Sequence, residues 1–287
     1  MARLAPQLLG ESADLVREFL RGRVDASGGF MDRDDTADLY YTVFGLEGFQ
    51  ALGSAPPVER VDAYLRTLGD GEGFDLVNLA SLARAWAALG TEIPRDLSAN
   101  LRARLDEQRR DGSGWALEAG ERSASVYSTF LAIGAYQDLG WPIEEPMAVA
   151  DFIASSALPD GGYANEPGQG VATTPTTVAA VIALLQLGAA ASPRSGRWLR
   201  ARRHRQGGFL ASVDAPMPDL LSTAVTLHAL SALEIDISPL VEPALDFVDS
   251  LWTARGGFYG HWADEELDCE YTFYGLLALG HLSVYVD

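Results

Sequence analysis

Near the end of this 287-residue chain, Asp268 and Glu270 stand two residues apart at the head of an apolar stretch, a spacing that suggests two kinds of chemistry. If burial beside Asp268 raises the pKa of Glu270, the glutamic acid holds its proton near neutral pH and serves as a general acid. If both carboxylates stay ionised, they hold a metal ion such as zinc or magnesium, with His261 as a third ligand. Carboxylate oxygen and imidazole are acceptable zinc ligands, but three such residues within ten positions are not a diagnostic spacing. The run Asp264-Glu265-Glu266 just upstream offers a plainer alternative, a solvated acidic loop. A second cluster, Asp32-Arg33-Asp34-Asp35-Thr36-Ala37, adds three carboxylates and one cation near the other end of the chain.

The elements that must position these groups repeat. Six glycine-aromatic pairs, Gly29-Phe30, Gly73-Phe74, Gly114-Trp115, Gly162-Tyr163, Gly208-Phe209 and Gly257-Phe258, are separated by 44, 41, 48, 46 and 49 residues. That period is typical of stacked helix pairs, whose single units cannot bury their apolar faces without neighbours. With no polar capping repeat at either end, six units suggest a closed ring. A threonine follows the aromatic by fourteen residues at Thr129, Thr177, Thr223 and Thr272, and by twelve at Thr42; unit two has Leu79 instead. Helices running on to Gly53, Gly90, Gly140 and Gly188 end on a residue suited to the left-handed C′ position. Between them, apolar residues at three-to-four spacing mark a second set of helices: Leu15 to Leu20, Val58 to Leu68, Leu97 to Leu105, Met147 to Leu158, Trp198 to Arg203 and Leu240 to Leu251. The pattern predicts six outer helices alternating with six inner ones.

The inner helices start at an ordered set of columns. The first column reads Asp38, Asp75, Ser125, Thr173, Asp219 and Asp268, all favoured N-cap residues whose side chains accept hydrogen bonds from first-turn amides. Most of this column is therefore expected to cap helices. Asp268 and Glu270 fill the first and third columns of the last unit.

Composition predicts one soluble, cytoplasmic domain spanning residues 1–287. Apolar residues make up 48% of the chain, yet no run reaches the roughly 18 residues of a membrane span, and no basic-then-apolar leader opens it. The net charge is −19 and the 21 basic residues are all arginine, which disfavours nucleic acid and anionic lipid as partners. The one cysteine, Cys269, reads as a small buried thiol. His204, His228 and His281 have no partner legible in the sequence and read as surface or helix residues.

Units such as Gly28-Gly29-Phe30 followed by Asp38-Leu39-Tyr40-Tyr41-Thr42-Val43-Phe44-Gly45-Leu46 resemble the prenyltransferase and squalene-cyclase repeat, over almost the whole chain. Its members are the β subunits of protein farnesyl- and geranylgeranyltransferases and the class II terpene cyclases. The resemblance implies an all-α fold, an α/α toroid of six helical hairpins around an apolar, aromatic-lined cavity that holds an isoprenoid. It also leaves room for a helical-repeat partner subunit, as the transferases have.

Departures from the family pattern sharpen this. The transferases bind zinc through Asp-x-Cys in the penultimate unit and a histidine in the last. Here the penultimate unit has Asp219 and then Leu221, and Tyr271 stands in the histidine column of the last. In the cyclases an Asp-x-Asp-Asp-Thr-Ala motif supplies the acid that protonates an alkene or epoxide. Asp32 to Ala37 matches it letter for letter, with Asp34 as the middle aspartate, but Thr36 lies six residues before the threonine column, out of register. Glu270 falls in the column of the cyclase acid. The transferases carry a diphosphate-binding arginine three residues after the aromatic, a column that holds Arg33 in unit one and His261 in unit six. A closed ring would bring those units together, gathering Arg33, His261, Asp268, Glu270, Tyr40, Tyr41 and Tyr271.

The catalytic candidates are thus Glu270, Asp268, Tyr271 and Asp34, and the substrate-binding candidates are Arg33, His261, Tyr40, Tyr41, Tyr127, Asp219 and Trp86. Phe44, Trp86, Tyr127, Phe130, Phe273 and Tyr274 fall on inner helices, where aromatic walls suit an isoprenoid and also suit an ordinary core. Three functions are consistent with these residues. A prenyltransferase-like protein handling a prenyl diphosphate comes first, then a terpene cyclase starting from a carboxylic acid, then a toroid that binds isoprenoid without turnover.

Overall fold

In the computed structural model, which describes residues 1–286, a short helix α1 (Pro6–Leu9) and α2 (Ser12–Gly22) lead into an antiparallel hairpin of β1 (Phe30–Met31) and β2 (Ala37–Asp38). There follow α3 (Leu39–Ala51), α4 (Val58–Thr67), α5 (Leu76–Leu89) and α6 (Arg95–Glu107). A second hairpin, β3 (Arg109–Arg110) and β4 (Gly114–Trp115), precedes α7 (Val126–Asp138), α8 (Pro146–Ser155), α9 (Thr174–Gln186), α10 (Ser195–Arg200), α11 (Leu220–Ala232), α12 (Val241–Asp249) and α13 (Cys269–Leu282). The six helices anticipated from the threonine and cap columns are α3, α5, α7, α9, α11 and α13, each beginning immediately after its cap residue.

Two kinds of helix alternate, as expected. Helix α9 buries every residue but three, whereas α2 buries only Ala13, Val16 and Leu20, the narrow stripe of an amphipathic helix with one face toward solvent. The chain forms two compact units, Met1–Val61 with Leu199–Asp287, and Asp62–Trp198. In the first, α13 packs between α11 and α3, so the last and first repeats are neighbours, and α2 and α12 cover α3 and α13. In the second, α7 packs between α5 and α9, with α6 on α5 and α8 on α9.

The cap column behaves as its chemistry requires. Asp38, Asp75, Ser125, Thr173, Asp219 and Asp268 each accept a hydrogen bond from the amide three residues on, at 2.7–3.3 Å. The threonine column has a different task. The hydroxyls of Thr42, Thr129, Thr177 and Thr223 accept the backbone N–H of Phe30, Trp115, Tyr163 and Phe209 at 2.9–3.0 Å, and Thr272 that of Phe258 at 3.5 Å. All five threonines are fully buried, and each ties the repeat aromatic to the helix it precedes. Glycines at Gly45 and Gly275 seat the rings of Phe30 and Phe258, where a Cβ would strike the ring.

At the other helix ends, Gly53, Gly90, Gly140 and Gly188 all have positive φ, the left-handed cap expected of them. In the fifth repeat Glu234 takes that conformation, with φ 56°. Among the described residues, no helix is long and apolar enough to cross a membrane. Cys269 is buried, as its sequence context suggested.

His228 and His281 lie on helices, within the expected reading, and gain a partner the sequence did not reveal. His228 Nδ1 and His281 Nε2 lie 3.1 Å apart, and Ser231 Oγ is 3.2 Å from His281 Nδ1, a packed pair between α11 and α13. His204 stacks edge-on against Trp262.

Two outcomes follow. Thr129→Val keeps shape but leaves the buried Trp115 amide unpaired, which is expected to cost about 1–3 kcal/mol in denaturant unfolding, while Thr129→Ser costs clearly less. For His281, burial, then the charges of His228 and the amino terminus, push the pKa down to about 3. The unfolded chain takes up a proton below about pH 6.5 that the fold rejects, so stability present above that pH is lost as pH falls toward 3. Unfolding measured at stepwise lower pH should show a loss on the order of a few kcal/mol that is blunted in His281→Gln.

Candidate functional site

Asp268 sits at the start of α13 with both oxygens engaged. Oδ1 accepts the Tyr271 amide at 2.7 Å, and Oδ2 accepts Arg33 Nε at 2.7 Å. The Arg33 guanidinium also donates to both oxygens of Asp264, at 2.9 and 3.2 Å, and lies over the Tyr271 ring at 5.4 Å. Burial would raise Asp264, but the hydrogen bonds from Arg33 and from the Gly260 and Glu266 amides carry its pKa below the usual carboxylate range. In Asp268, which is fully buried, desolvation outweighs the Tyr271 amide and Arg33, and the pKa is raised.

The aspartates of the first-repeat acidic motif explain how Arg33 reaches this position. Asp32 Oδ1 accepts the amides of Asp34 and Thr36 at 2.9 and 3.0 Å, and the Asp32 amide donates to the Thr36 carbonyl. Asp35 adopts a left-handed conformation, φ 57°, and pairs with Arg23. The motif therefore folds a tight turn between β1 and β2 that presents Arg33. Asp34 lies exposed on this turn, apart from the group formed by Arg33, Asp264 and Asp268.

Glu270, in the first turn of α13, accepts the Tyr40 hydroxyl at 2.6 Å. Burial first, then the charge of Asp268, push its pKa up to about 7 against the opposing effect of Tyr40. Tyr40 is held by Tyr41 and Phe44, whose centroids lie 5.7 and 4.9 Å away, and Phe44 meets Phe273 and Tyr274 at 5.8 and 5.6 Å. This aromatic cluster joins α3 to α13. Burial and the nearby carboxylates push Tyr41 up to about 12, and Tyr271 higher still.

The remaining candidates lie elsewhere. His261 accepts the Ala263 amide at 3.2 Å and interacts electrostatically with Asp219, the cap of α11, whose pKa burial raises. Asp268, Glu270 and His261 do not form a metal centre: among the described residues no group of three or more His, Cys, Asp or Glu is disposed to hold an ion. Arg33 and the Tyr271 amide occupy Asp268, and Tyr40 occupies Glu270, so the displaced set of Asp268, Glu270 and His261 does not fit a zinc ion. Trp86 belongs to the second unit, is only 1% exposed and packs beneath Arg66 in the core. Tyr127, in the same unit, is exposed at the start of α7. Arg33 also borders an open cleft of about 430 Å³ whose other charged walls are Arg23, Arg255, Glu265 and Glu266, so that three arginines face two glutamates. Sequence reasoning missed the part played by Asp264, which looked like a member of a solvated run.

Arg33→Gln should destabilise the fold by about 1–3 kcal/mol in chemical denaturation, less than for a fully buried pair because the arginine is partly exposed. Asp34→Asn, on the same turn, should change stability by no more than about 0.5 kcal/mol.

The chain belongs to the prenyltransferase alpha-alpha toroid domain family, whose model matches residues 7–79 and 119–283. Over 149 residues it is 31% identical to the β subunit of protein farnesyltransferase from Pisum sativum, covering 49% of this chain and 35% of that protein. The match thus spans about a third of the relative's length. Among solved structures, it is similar to Candida albicans protein geranylgeranyltransferase-I at 14% identity, covering 95% of this chain and 91% of that one with a TM-score of 0.70. It is likewise similar to the type II terpene cyclase MstE from Scytonema at 13% identity, covering 97% and 98% with a TM-score of 0.67. At such identities the structural likeness concerns the fold.

Proposed function

We propose that this protein holds an isoprenoid against the aromatic cluster of α3 and α13 and that Glu270 is the general acid delivering a proton to an alkene of that substrate. The observation that carries this reading is a half-buried carboxyl, raised to about 7 and hydrogen-bonded to Tyr40, beside the half-buried rings of Tyr41, Phe273 and Tyr274. A carboxyl with a pKa near the working pH is protonated often enough to act and still gives up its proton. Phe273 and Tyr274, packed on the buried ring of Phe44, offer apolar area to a prenyl chain and π faces to a cation that forms on it. Asp268, coupled to Glu270 and held by Arg33, adds negative charge that favours the protonated glutamic acid. The likeness to a toroid described as a type II terpene cyclase, over 97% of this chain and 98% of that one, supports the reading.

Prenyl transfer is the second reading, favoured by the partial match to a farnesyltransferase β subunit. In it, Glu270 would take a proton from an acceptor, which reverses the pH dependence.

Incubation with geranylgeranyl diphosphate, and in parallel with geranylgeraniol, followed by product analysis across about pH 5–9, separates the readings. An acid acts in its protonated form, so conversion should fall as pH rises through about 7. Glu270→Gln should lower it by about 100-fold or more. Conversion that is unchanged in Glu270→Gln would refute the acid, and conversion that rises with pH and requires an acceptor would favour transfer.

A further inference from the structure

We propose that Tyr40 is a positioning residue for Glu270, holding one carboxyl oxygen so that the transferable proton is carried on the other. The inference rests on the general-acid reading above. Tyr40 projects from the first turn of α3, and its hydroxyl lies 2.6 Å from Glu270 Oε1 on α13. An ionised carboxylate can only accept, so toward that form the tyrosine must be the donor. The same donation to the neutral acid leaves Oε2 as the oxygen that bears hydrogen.

The tyrosine cannot easily swing away. Its ring meets Phe44 edge-on at 4.9 Å and Tyr41 at 5.7 Å, and Phe44 is itself wedged against Phe273 and Tyr274. Tyr40 thereby joins the first repeat to the carboxyl of the last. In the transfer the Oε2–H bond breaks, with its electron pair remaining on Glu270. The alkene π pair forms the new C–H bond, leaving a cation on the second carbon. Tyr40 keeps its own proton throughout, and its bond to Oε1 becomes charge-assisted as Glu270 acquires charge, which strengthens it. The proton returns when the cation sheds one to the carboxylate or to water. Tyr40 therefore opposes burial and the charge of Asp268, the two influences that make Glu270 a reluctant acid.

The test titrates Glu270 directly by carbon NMR of glutamate-labelled protein, with Glu270→Gln identifying the resonance. Tyr40→Phe is expected to move the Glu270 titration upward by about one unit, a tenfold weaker acid, and to carry the alkaline limb of conversion with it. Glu270→Asp keeps the acid but draws it back from the hydroxyl, and should titrate at the same pH whether residue 40 is tyrosine or phenylalanine. If Glu270 titrates at an unchanged pH in Tyr40→Phe, the positioning role is overturned even if Glu270 proves to be the acid. A shifted titration in protein whose conversion is indifferent to Glu270→Gln would uphold the contact and overturn the acid reading instead.

Discussion

The structure depends on how each buried helix is started. A helix opens with amides that have no partner within it, and here those amides lie in the interior, where leaving them unpaired is costly. Six cap side chains satisfy one amide each, and five buried threonine hydroxyls take the backbone N–H of the preceding aromatic. The cap fixes where the helix begins, and the threonine fixes where the aromatic sits relative to it. Because both are set within a repeat, the register of every residue in the first turn follows, including Glu270 two positions after Asp268.

The last repeat departs from the others in adding a function to its cap. Asp268 caps α13 through one oxygen, as its five counterparts do for their helices, and through the other it receives Arg33 from the first repeat. Arg33 also carries Asp264, so one cation organises two carboxylates and stacks on Tyr271. The result is an acidic neighbourhood in which Asp268 and Glu270 are both raised, and Glu270, hydrogen-bonded to Tyr40, is pushed up to about 7. Burial is what raises both Asp268 and Glu270, and Arg33 opposes that rise in each.

The acidic motif of the first repeat shows why a letter match can mislead. Asp32, Asp34 and Asp35 occur in an order that suggests an acid catalyst, and the turn they form uses Asp32 as an amide acceptor and Asp35 for its left-handed backbone. Register had already set Thr36 apart from the threonine column, and the structure gives the physical reason, since the motif ends before the helix starts. The residue of consequence in that turn is Arg33. Trp86 makes the complementary point: an aromatic on the correct helix can still face the core, because the sequence gives the helix and not the angle at which it lies among its neighbours.

The repeat period, the six cap residues, the helix ends at Gly53, Gly90, Gly140 and Gly188, and the burial of Cys269 were all legible in the chain, because each depends on contacts within about fifty residues. The neighbourhood of the first and last repeats, with Arg33 near Asp268 and Tyr40 near Glu270, was foreseen as a consequence of closure, but the pairing of Arg33 with Asp264 could not be read, since more than 230 positions separate the partners. The contact of His228 with His281, 53 positions apart and on two different repeats, was not anticipated either. The displacement of His261 toward Asp219, and with it the loss of the expected metal set, was likewise decided by tertiary structure. Local spacing specifies which face of a helix a residue occupies. What meets that face, and hence whether a carboxyl is ionised, protonated or bound to an arginine, depends on burial and on charges brought from distant parts of the chain.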